Sequence, residues 1–331
     1  MPISEYQSAN DLPLLWDRKA PHLFLQKENL ALLEKVNPCV QRYYEIGSGE
    51  DASIFMTYRL SLNILTYSLM KLNIMVTMAG LPLSVSKCGY HIAFRDQPEF
   101  FTYLSARKGW KIILNAAEDW KIPGWSQGET LASCVLTNHW DGFDDYLQDM
   151  RSSYRYRIQK AQKKWVAVRE VELETPAQFD EKLYRLYLNV YERSEVKLEK
   201  QSLEFFKSFP ATIIAFYHQD QPLGFVQLVA QESELIFCLG GFDYHLNFQY
   251  DIYWNMLLAI VKRGINGRFR TIEFGQTAEE TKMKLGCVLQ TKYMYVHHSN
   301  PLLNQIVHWL IPYFGYQKPK FVFNVFKENE P

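Results

Sequence analysis

An α/β (α+β) fold in two lobes is what this sequence predicts, and three observations predict it. The chain has 331 residues, about twice the usual domain size, so two domains or two similar halves form the default division. Strand-like and helix-like runs are mixed along the whole chain. In the second part they fall into the order helix, helix, three antiparallel strands, helix, strand, helix, strand, which makes a mixed, mostly antiparallel sheet with helices on it.

The first part opens its strands at "SIFMTYRLSLNIL" and "KLNIMVTMAG", and "HIAFRD" follows the turn residues of "GLPLSVSKCGY". "QPEFFTYLSARKG" reads as a helix and "WKIILNA" as a strand; "AEDWKIPGWSQGET" is a loop and "LASCVLTN" a strand. "HWDGFDDYLQDMRSSYRYRIQKAQKKW" is a long, mostly helical stretch with acids early and bases late, an order that suits the helix dipole. "VAVREVEL" is a strand. "TPAQFDEKLYRLYLNVYERSE" is a helix begun by Thr175 with Pro176 in its first turn, and "SLEFFKSF" is a shorter helix between Ser202 and Pro210. "ATIIAFYH", "FVQLVAQ" and "LIFCLGGFD" form a meander with turns at "QDQPLG" and "ESE". "FQYDIYWNMLLAIVKRGING" carries the apolar stripe Ile252, Met256, Leu257, Ile260 and Val261 and stops at glycine. "FRTIEFG" is a buried strand, "QTAEETKMKLG" a short polar helix and "CVLQTKYMYVHH" a long strand; "NPLLNQIVHWLIPYFGY" is amphipathic and aromatic and precedes "FVFNVF".

Lysine plus arginine and aspartate plus glutamate each number 36, so no overall field draws the chain to DNA or anionic lipid, and any such attraction is local. Its 15% aromatic content suggests strand-rich cores or an aromatic-lined cleft. The five cysteines are scattered without a CxxC pair, which argues against a disulfide framework and a zinc site and fits a reducing cytoplasm. "MPISEYQSANDLPLLWDRK" lacks the basic and apolar regions of a signal peptide. The most apolar stretch, residues 61–85, is interrupted by Asn63, Lys71 and Asn73, so it reads as buried strands and not a membrane span.

No phosphate-binding P-loop, complete GxGxxG or HExxH is present. "GWSQG" around Ser126 precedes a strand and not the helix that a nucleophile elbow needs; "GSGEDA" from Gly47 likewise runs into a strand. His297 and His298 point to opposite faces of their strand and do not share a metal. No metal site is expected. Cys238 and Cys287 have no evident histidine partner and read as buried structural thiols. From Arg151 to Lys164 every charged residue is basic, which is either a solvated helix face or an anion-binding patch. Lys282 and Lys284 pair with Glu279 and Glu280 on a solvated helix face, or else present ammonium groups to a ligand.

Two stretches, "DDYLQDMRSSYRYRIQKAQKKW" and "TIEFGQTAEETKMKLGC", resemble the FemAB-related branch of the GNAT acyltransferase superfamily, with Lys282 at the family lysine and Gly286 at the closing glycine. The resemblance covers roughly residues 140–298. It implies two GNAT-like lobes, each a mixed, mostly antiparallel sheet flanked by helices: a degenerate one over 1–145 and the acyltransferase lobe over 146–331. It further implies splayed central strands that hold an activated acyl donor while an amine attacks in a ternary complex. On that reading Lys282, Glu273 and Tyr253 are the catalytic candidates, with Arg155, Lys160 and Gln276 holding the donor. Each keeps a plainer role as alternative: Glu273 on the wet face of the sheet, Tyr253 in the core, Asp251 as a helix-start carboxylate. No cofactor is tightly bound; acyl-CoA or another acyl donor is the cosubstrate. The segment "GGFDYHLNFQYDIYWN" lacks the Q/RxxGxG/A loop of CoA-using relatives, so acyl carrier protein and aminoacyl-tRNA stay open as donors, the neutral charge disfavouring tRNA. A small-molecule amine is the expected acceptor. A non-catalytic module binding an acylated or phosphorylated ligand is the alternative function, and peripheral membrane contact through residues 302–316 is a further reading.

Overall fold

The computed structural model describes residues 2–37, 39–63, 73–194, 199–314, 316, 319 and 322–327. The end of the first expected strand run, the start of the second, and parts of the two C-terminal runs lie outside the described residues. In chain order come β1 (Ile3–Tyr6), α1 (Trp16–Lys19), α2 (Lys27–Val36), β2 (Gln41–Ile46), β3 (Ser53–Asn63), β4 (Asn73–Ala79), β5 (Tyr90–His91), α3 (Gln97–Ala106), β6 (Trp110–Ala116) and β7 (Ser126–Thr137). Then follow α4 (Phe143–Asp149), α5 (Ser152–Lys163), β8 (Val168–Glu172), α6 (Glu181–Arg193), α7 (Leu203–Ser208), β9 (Thr212–His218), β10 (Gln221–Gln231), β11 (Glu234–Phe242), α8 (Tyr244–Tyr250), α9 (Ile252–Asn266), β12 (Thr271–Glu273), α10 (Glu279–Met283), β13 (Val288–His298) and α11 (Pro301–Phe314).

Two compact units result. Unit 1 comprises residues 1–131, 195–205 and 291–317; unit 2 comprises 132–194, 206–290 and 318–331. The sequence places a single cut between residues 145 and 146, whereas each compact unit is assembled from three segments. In unit 1 the strands run β1-β2-β3-β4-β6-β13, with β5 on β3. An aromatic core of Phe55, Phe100, Phe101, Trp120 and Tyr295 joins that sheet to α3. On α11, Leu302, Ile306 and Trp309 are exposed at 77%, 52% and 70%, while Ile311 is buried beside Gly128 of β7.

In unit 2 the order is β7-β12-β11-β10-β9-β8. All neighbours are antiparallel except β11 and β12, which are parallel. One face carries α4, α5 and α9, whose Ile158, Ile252, Met256, Leu257, Ile260 and Val261 lie in one core. Burying the five apolar side chains of the α9 stripe contributes on the order of 10 kcal/mol as an upper bound. The other face carries Phe179 and Phe206 against Phe225 of β10. There Gly241 of β11 passes so close to α6 that an added Cβ would lie 2.3 Å from the Tyr187 nitrogen.

Local chemistry explains where the boundaries differ from the expected ones. "HIAFRD" yields only the two-residue β5 and a 3₁₀ turn at Phe94–Asp96, since Ser53 Oγ takes the Ala93 N–H that a strand would use. The long basic stretch breaks at Met150 and Arg151, where Met150 bridges Phe326 and the Arg151 N–H donates to the Val325 carbonyl. Thr175 opens only a 3₁₀ turn; Asp180 starts α6 by accepting from the Leu183 N–H at 2.9 Å. Ser202 Oγ accepts from the Phe205 N–H at the start of α7, as expected. The expected single helix over 248–267 is two, because Asp251 takes left-handed angles (φ 48°, ψ 47°) between α8 and α9.

Candidate functional site

The parallel pair β11/β12 positions the site. It holds for only three residue pairs, ending at Ile236 opposite Glu273. β11 then continues to Phe242 with a register shift that leaves Cys238 as the extra residue between Phe237 and Leu239. Such a bulge re-aims a strand. Beyond Glu273 the chain keeps to β7, with which β12 is already paired: the Phe274 N–H donates to the Cys134 carbonyl at 2.8 Å and the Cys134 N–H to the Gly275 carbonyl at 3.0 Å. The parallel ladder thus ends at its third pair, at the strand ends where the resemblance expects the splay.

The loop leaving the splay is strained and clamped. Gly275, Thr277 and Ala278 all have positive φ, at 68°, 64° and 50°, and for β-branched Thr277 that conformation costs on the order of 1–3 kcal/mol. Lys282 closes beneath it from α10. Its side chain is buried, and Nζ donates to the Gln276 carbonyl at 2.7 Å and the Gly275 carbonyl at 3.5 Å. Burial pushes the Lys282 ammonium below its ordinary range, against the pull of Cys134, Cys287, Glu279 and Glu273 nearby. The expected helix that presents Lys282 to an open cleft is therefore not what forms: the amine is turned inward, and its donors are directed to backbone oxygens.

Glu273 is buried too, and its Oε1 accepts from Ser133 Oγ of β7 at 2.7 Å. Its carboxylate is not on the wet face of a sheet. Tyr253, half-buried on α9, stacks on Phe242 with ring centroids 5.5 Å apart. Burial first, and then Cys134, Tyr244, Cys287 and Glu279, hold its hydroxyl well above the usual tyrosine range. Cys134 is pushed up to about 11, chiefly by burial. Lys282, Glu273, Tyr253, Cys134 and Cys287 thus share one region of unit 2. Ser133 and Cys134 escape sequence reasoning because β7 falls in the first half of the chain.

A cavity of about 530 Å³ lies on the basic side of this unit, lined by Tyr156, Arg157, Lys160, Lys164, Trp254 and Lys284 among others. Of the expected donor-binding residues it gathers Lys160. Arg155 is not on its wall; Nη1 reaches the carbonyls of Leu147 and Gln148 at the end of α4, at 3.4 Å each. Gln276 enters the site through the carbonyl that holds Lys282. Lys284, next to the expected lysine, reaches the wall instead, paired with Glu280. Asp251 does not cap α9 with its side chain; its carboxylate pairs with Lys164 at 3.0 Å. Trp254 Nε1 is buried without a hydrogen-bond partner.

Three amides at the helix starts here are engaged by side chains. Asp243 Oδ1 accepts from the His245 and Leu246 N–H groups at the head of α8, and Asn247 Oδ1 from the Tyr253 N–H at the head of α9. An anion entering the cavity therefore meets side-chain cations first. No cluster able to hold a metal ion occurs among the described residues; His297 stacks on Trp125, while His298 lies tilted against a different ring, that of Trp110.

Residues 148–283 match the family profile described as an acetyltransferase (GNAT) domain. A crystal structure of FemX shares the fold with a TM-score of 0.59 at 9% identity, covering 93% of this chain and 100% of that one. A conserved protein of unknown function from Bacteroides thetaiotaomicron gives 0.52 at 10% identity, over 89% and 100% of the two chains. A tandem GNAT protein from the clavulanic acid biosynthesis pathway gives 0.50 at 9% identity, over 91% and 99%. No curated protein sequence matches the chain. The resemblance to the FemAB-related branch of the GNAT superfamily, and the α/β fold in a tandem GNAT-like arrangement, are borne out.

Proposed function

We propose that this chain is an acyltransferase that moves an acyl or aminoacyl group from an activated donor onto a small-molecule amine by direct transfer. The observation that carries the reading is the end of the β11/β12 ladder at Ile236 and Glu273, inside the stretch that matches a GNAT domain; beyond it the strands open a gap. The donor carbonyl enters that gap, and backbone N–H groups along β11 receive the developing oxyanion. Acyl-CoA, acyl carrier protein and aminoacyl-tRNA all carry phosphates, and Arg157, Lys160 and Lys164 bind them. The amine nitrogen attacks the carbonyl carbon while Glu273 takes its proton; the bond to sulfur or ribose oxygen breaks, and Tyr253 returns a proton to that leaving atom. A hydroxyl held above the usual tyrosine range stays protonated at neutral pH, as a proton donor must. Lys282 acts by holding the strained loop and so setting Glu273. The first lobe serves as a degenerate GNAT-like half, and the reaction is placed in the cytoplasm, in keeping with five free cysteines.

The inward-turned Lys282 favours one second reading, a GNAT-fold module that binds an acylated or phosphorylated ligand without turnover. A thermal-shift panel with CoA, acetyl-CoA, a long-chain acyl-CoA, acyl carrier protein and charged tRNA, followed by acyl transfer to an amine panel, separates the two. A donor at about a hundred times its Kd adds roughly 2.7 kcal/mol, a shift of a few degrees. Stabilisation with transfer supports the enzyme; stabilisation without transfer under any acceptor supports the module.

A further inference from the structure

Unit 1 has a groove of its own, of about 380 Å³, lined by Arg42, Tyr44, Arg59, Tyr103, Arg107 and Lys108 among others. The strand register builds it. Arg42 of β2 stands opposite Thr57 of β3, and Arg59, two residues on, stands opposite Thr77 of β4. Paired residues share a face and so do alternate ones, so both arginines project from the same side as Thr57 and Thr77. They are diagonal neighbours, about 7–8 Å apart at the backbone, and like charges at that separation on a sheet repel. α3 ends over the same groove, with Tyr103 and then Arg107 and Lys108 beyond its last turn.

Charge is not balanced there. Four cations face one carboxylate, Glu5, and Glu5 is taken by Arg107 at 2.7 Å and by the Tyr103 hydroxyl at 2.9 Å. Arg107 is further fixed with its guanidinium carbon 4.6 Å from the centre of the Tyr103 ring. Arg42 reaches a backbone carbonyl, that of Gln41 at 2.7 Å. Among the described residues neither Arg42, Arg59 nor Lys108 meets a carboxylate. Thr57 is buried at the groove floor, where its Oγ1 lies 3.4 Å from the Tyr44 hydroxyl. Two arginines at diagonal positions on one face of a sheet, without carboxylate partners, suit an oxyanion with several acceptor oxygens. A phosphate group neutralises more of the excess than a carboxylate does.

We propose that this groove is an anion site in its own right, taking a phosphate-bearing ligand between Arg42 and Arg59, with Arg107 and Lys108 at its rim. The site stands apart from the transfer reading, because no residue of it belongs to the GNAT-matched stretch.

Calorimetric titration with inorganic pyrophosphate tests it in an Arg157→Gln/Lys160→Gln background, which weakens the unit 2 cavity. That protein is expected to bind pyrophosphate, and adding Arg42→Gln/Arg59→Gln is expected to weaken binding at least about tenfold. Arg59→Gln alone, at an exposed position, gives a smaller loss in the same direction if the double change unfolds the protein. Flotation with phosphatidylglycerol and phosphatidylcholine vesicles assigns the source. Arginine-dependent binding to the anionic vesicles alone points to a lipid headgroup, whereas pyrophosphate binding without vesicle binding points to a soluble phosphorylated ligand; either supports the site. An unchanged pyrophosphate affinity after the arginine substitutions, or no binding by the parent, overturns it.

Discussion

Lys282→Ala and Lys282→Met separate what the buried amine does from what its stem does. Alanine removes three buried methylenes, worth about 0.8 kcal/mol each, and leaves the carbonyls of Gln276 and Gly275 without that donor, at about 1–3 kcal/mol. The expected loss is about 3–5 kcal/mol. Methionine keeps the volume and removes only the donor, so about 1–3 kcal/mol is expected, less whatever burying an ammonium costs the wild type. The pH dependence identifies the amine. The folded-state pKa of Lys282 is lowered from 10.5, so in the window between the two values the unfolded chain holds a proton that the native protein has shed. Stability then rises with pH across that window, by up to about 1.4 kcal/mol per unit. Urea unfolding of wild type and Lys282→Met at pH 7 and pH 10 should therefore show the wild type gaining on the variant as pH rises. A gap independent of pH, together with an alanine variant that loses less than about 1 kcal/mol, refutes the clamp.

Three further expectations follow from the same structure. Tyr253→Phe and Glu273→Gln should each lower kcat about 10²-fold or more while leaving the donor-induced thermal shift in place, measured once a donor is known; equal losses in binding would make both residues structural. Gly241→Ala should cost more than about 3 kcal/mol in urea unfolding, since its Cβ would lie 2.3–2.7 Å from the backbone of Leu186 and Tyr187. Glu199 is buried in unit 1, accepts from Ser84 and is raised to about 7 by burial. The native state therefore holds its proton between about pH 4.5 and 7 where the unfolded chain does not, and stability is lost as pH rises through that window; Glu199→Gln should gain on the wild type by about 2–3 kcal/mol between pH 5 and pH 8.

Much of the fold of unit 2 was legible because its signals are local: the α9 stripe and the meander each lie within a few residues, whereas the start of α6 was read at Thr175 and lies at Asp180. Pro222 shows the limit. It reads as part of a turn over 219–224, yet the turn is made by Gln219 at φ 55° and Asp220, and Pro222 sits inside β10 at a register shift. The site was legible in part, since Glu273, Lys282 and Tyr253 do come to one region of the unit. Which way Lys282 points was not, because that depends on three left-handed residues in the preceding loop that no side-chain pattern announces. Cys134 and Ser133 were invisible for another reason: a strand from more than a hundred residues upstream pairs beside β12, and contacts so distant in sequence leave no periodicity to read.

Clamp and cavity bear on the same question, how a phosphorylated donor is held without a glycine-rich loop. At a helix N-terminus a pyrophosphate is bound by amides whose positions are fixed and whose partial charges are small. Here Asp243 and Asn247 already occupy such amides, and the cations available sit on α5 and α10. Full charges on long side chains act over a Debye length and weaken as salt rises, whereas oriented amides do so far less. Donor affinity should accordingly fall steeply between 50 and 300 mM salt and lose that steepness in Arg157→Gln/Lys160→Gln. A nearly flat salt dependence in the wild type would return the donor's phosphates to backbone amides and make α5 an ordinary solvated helix.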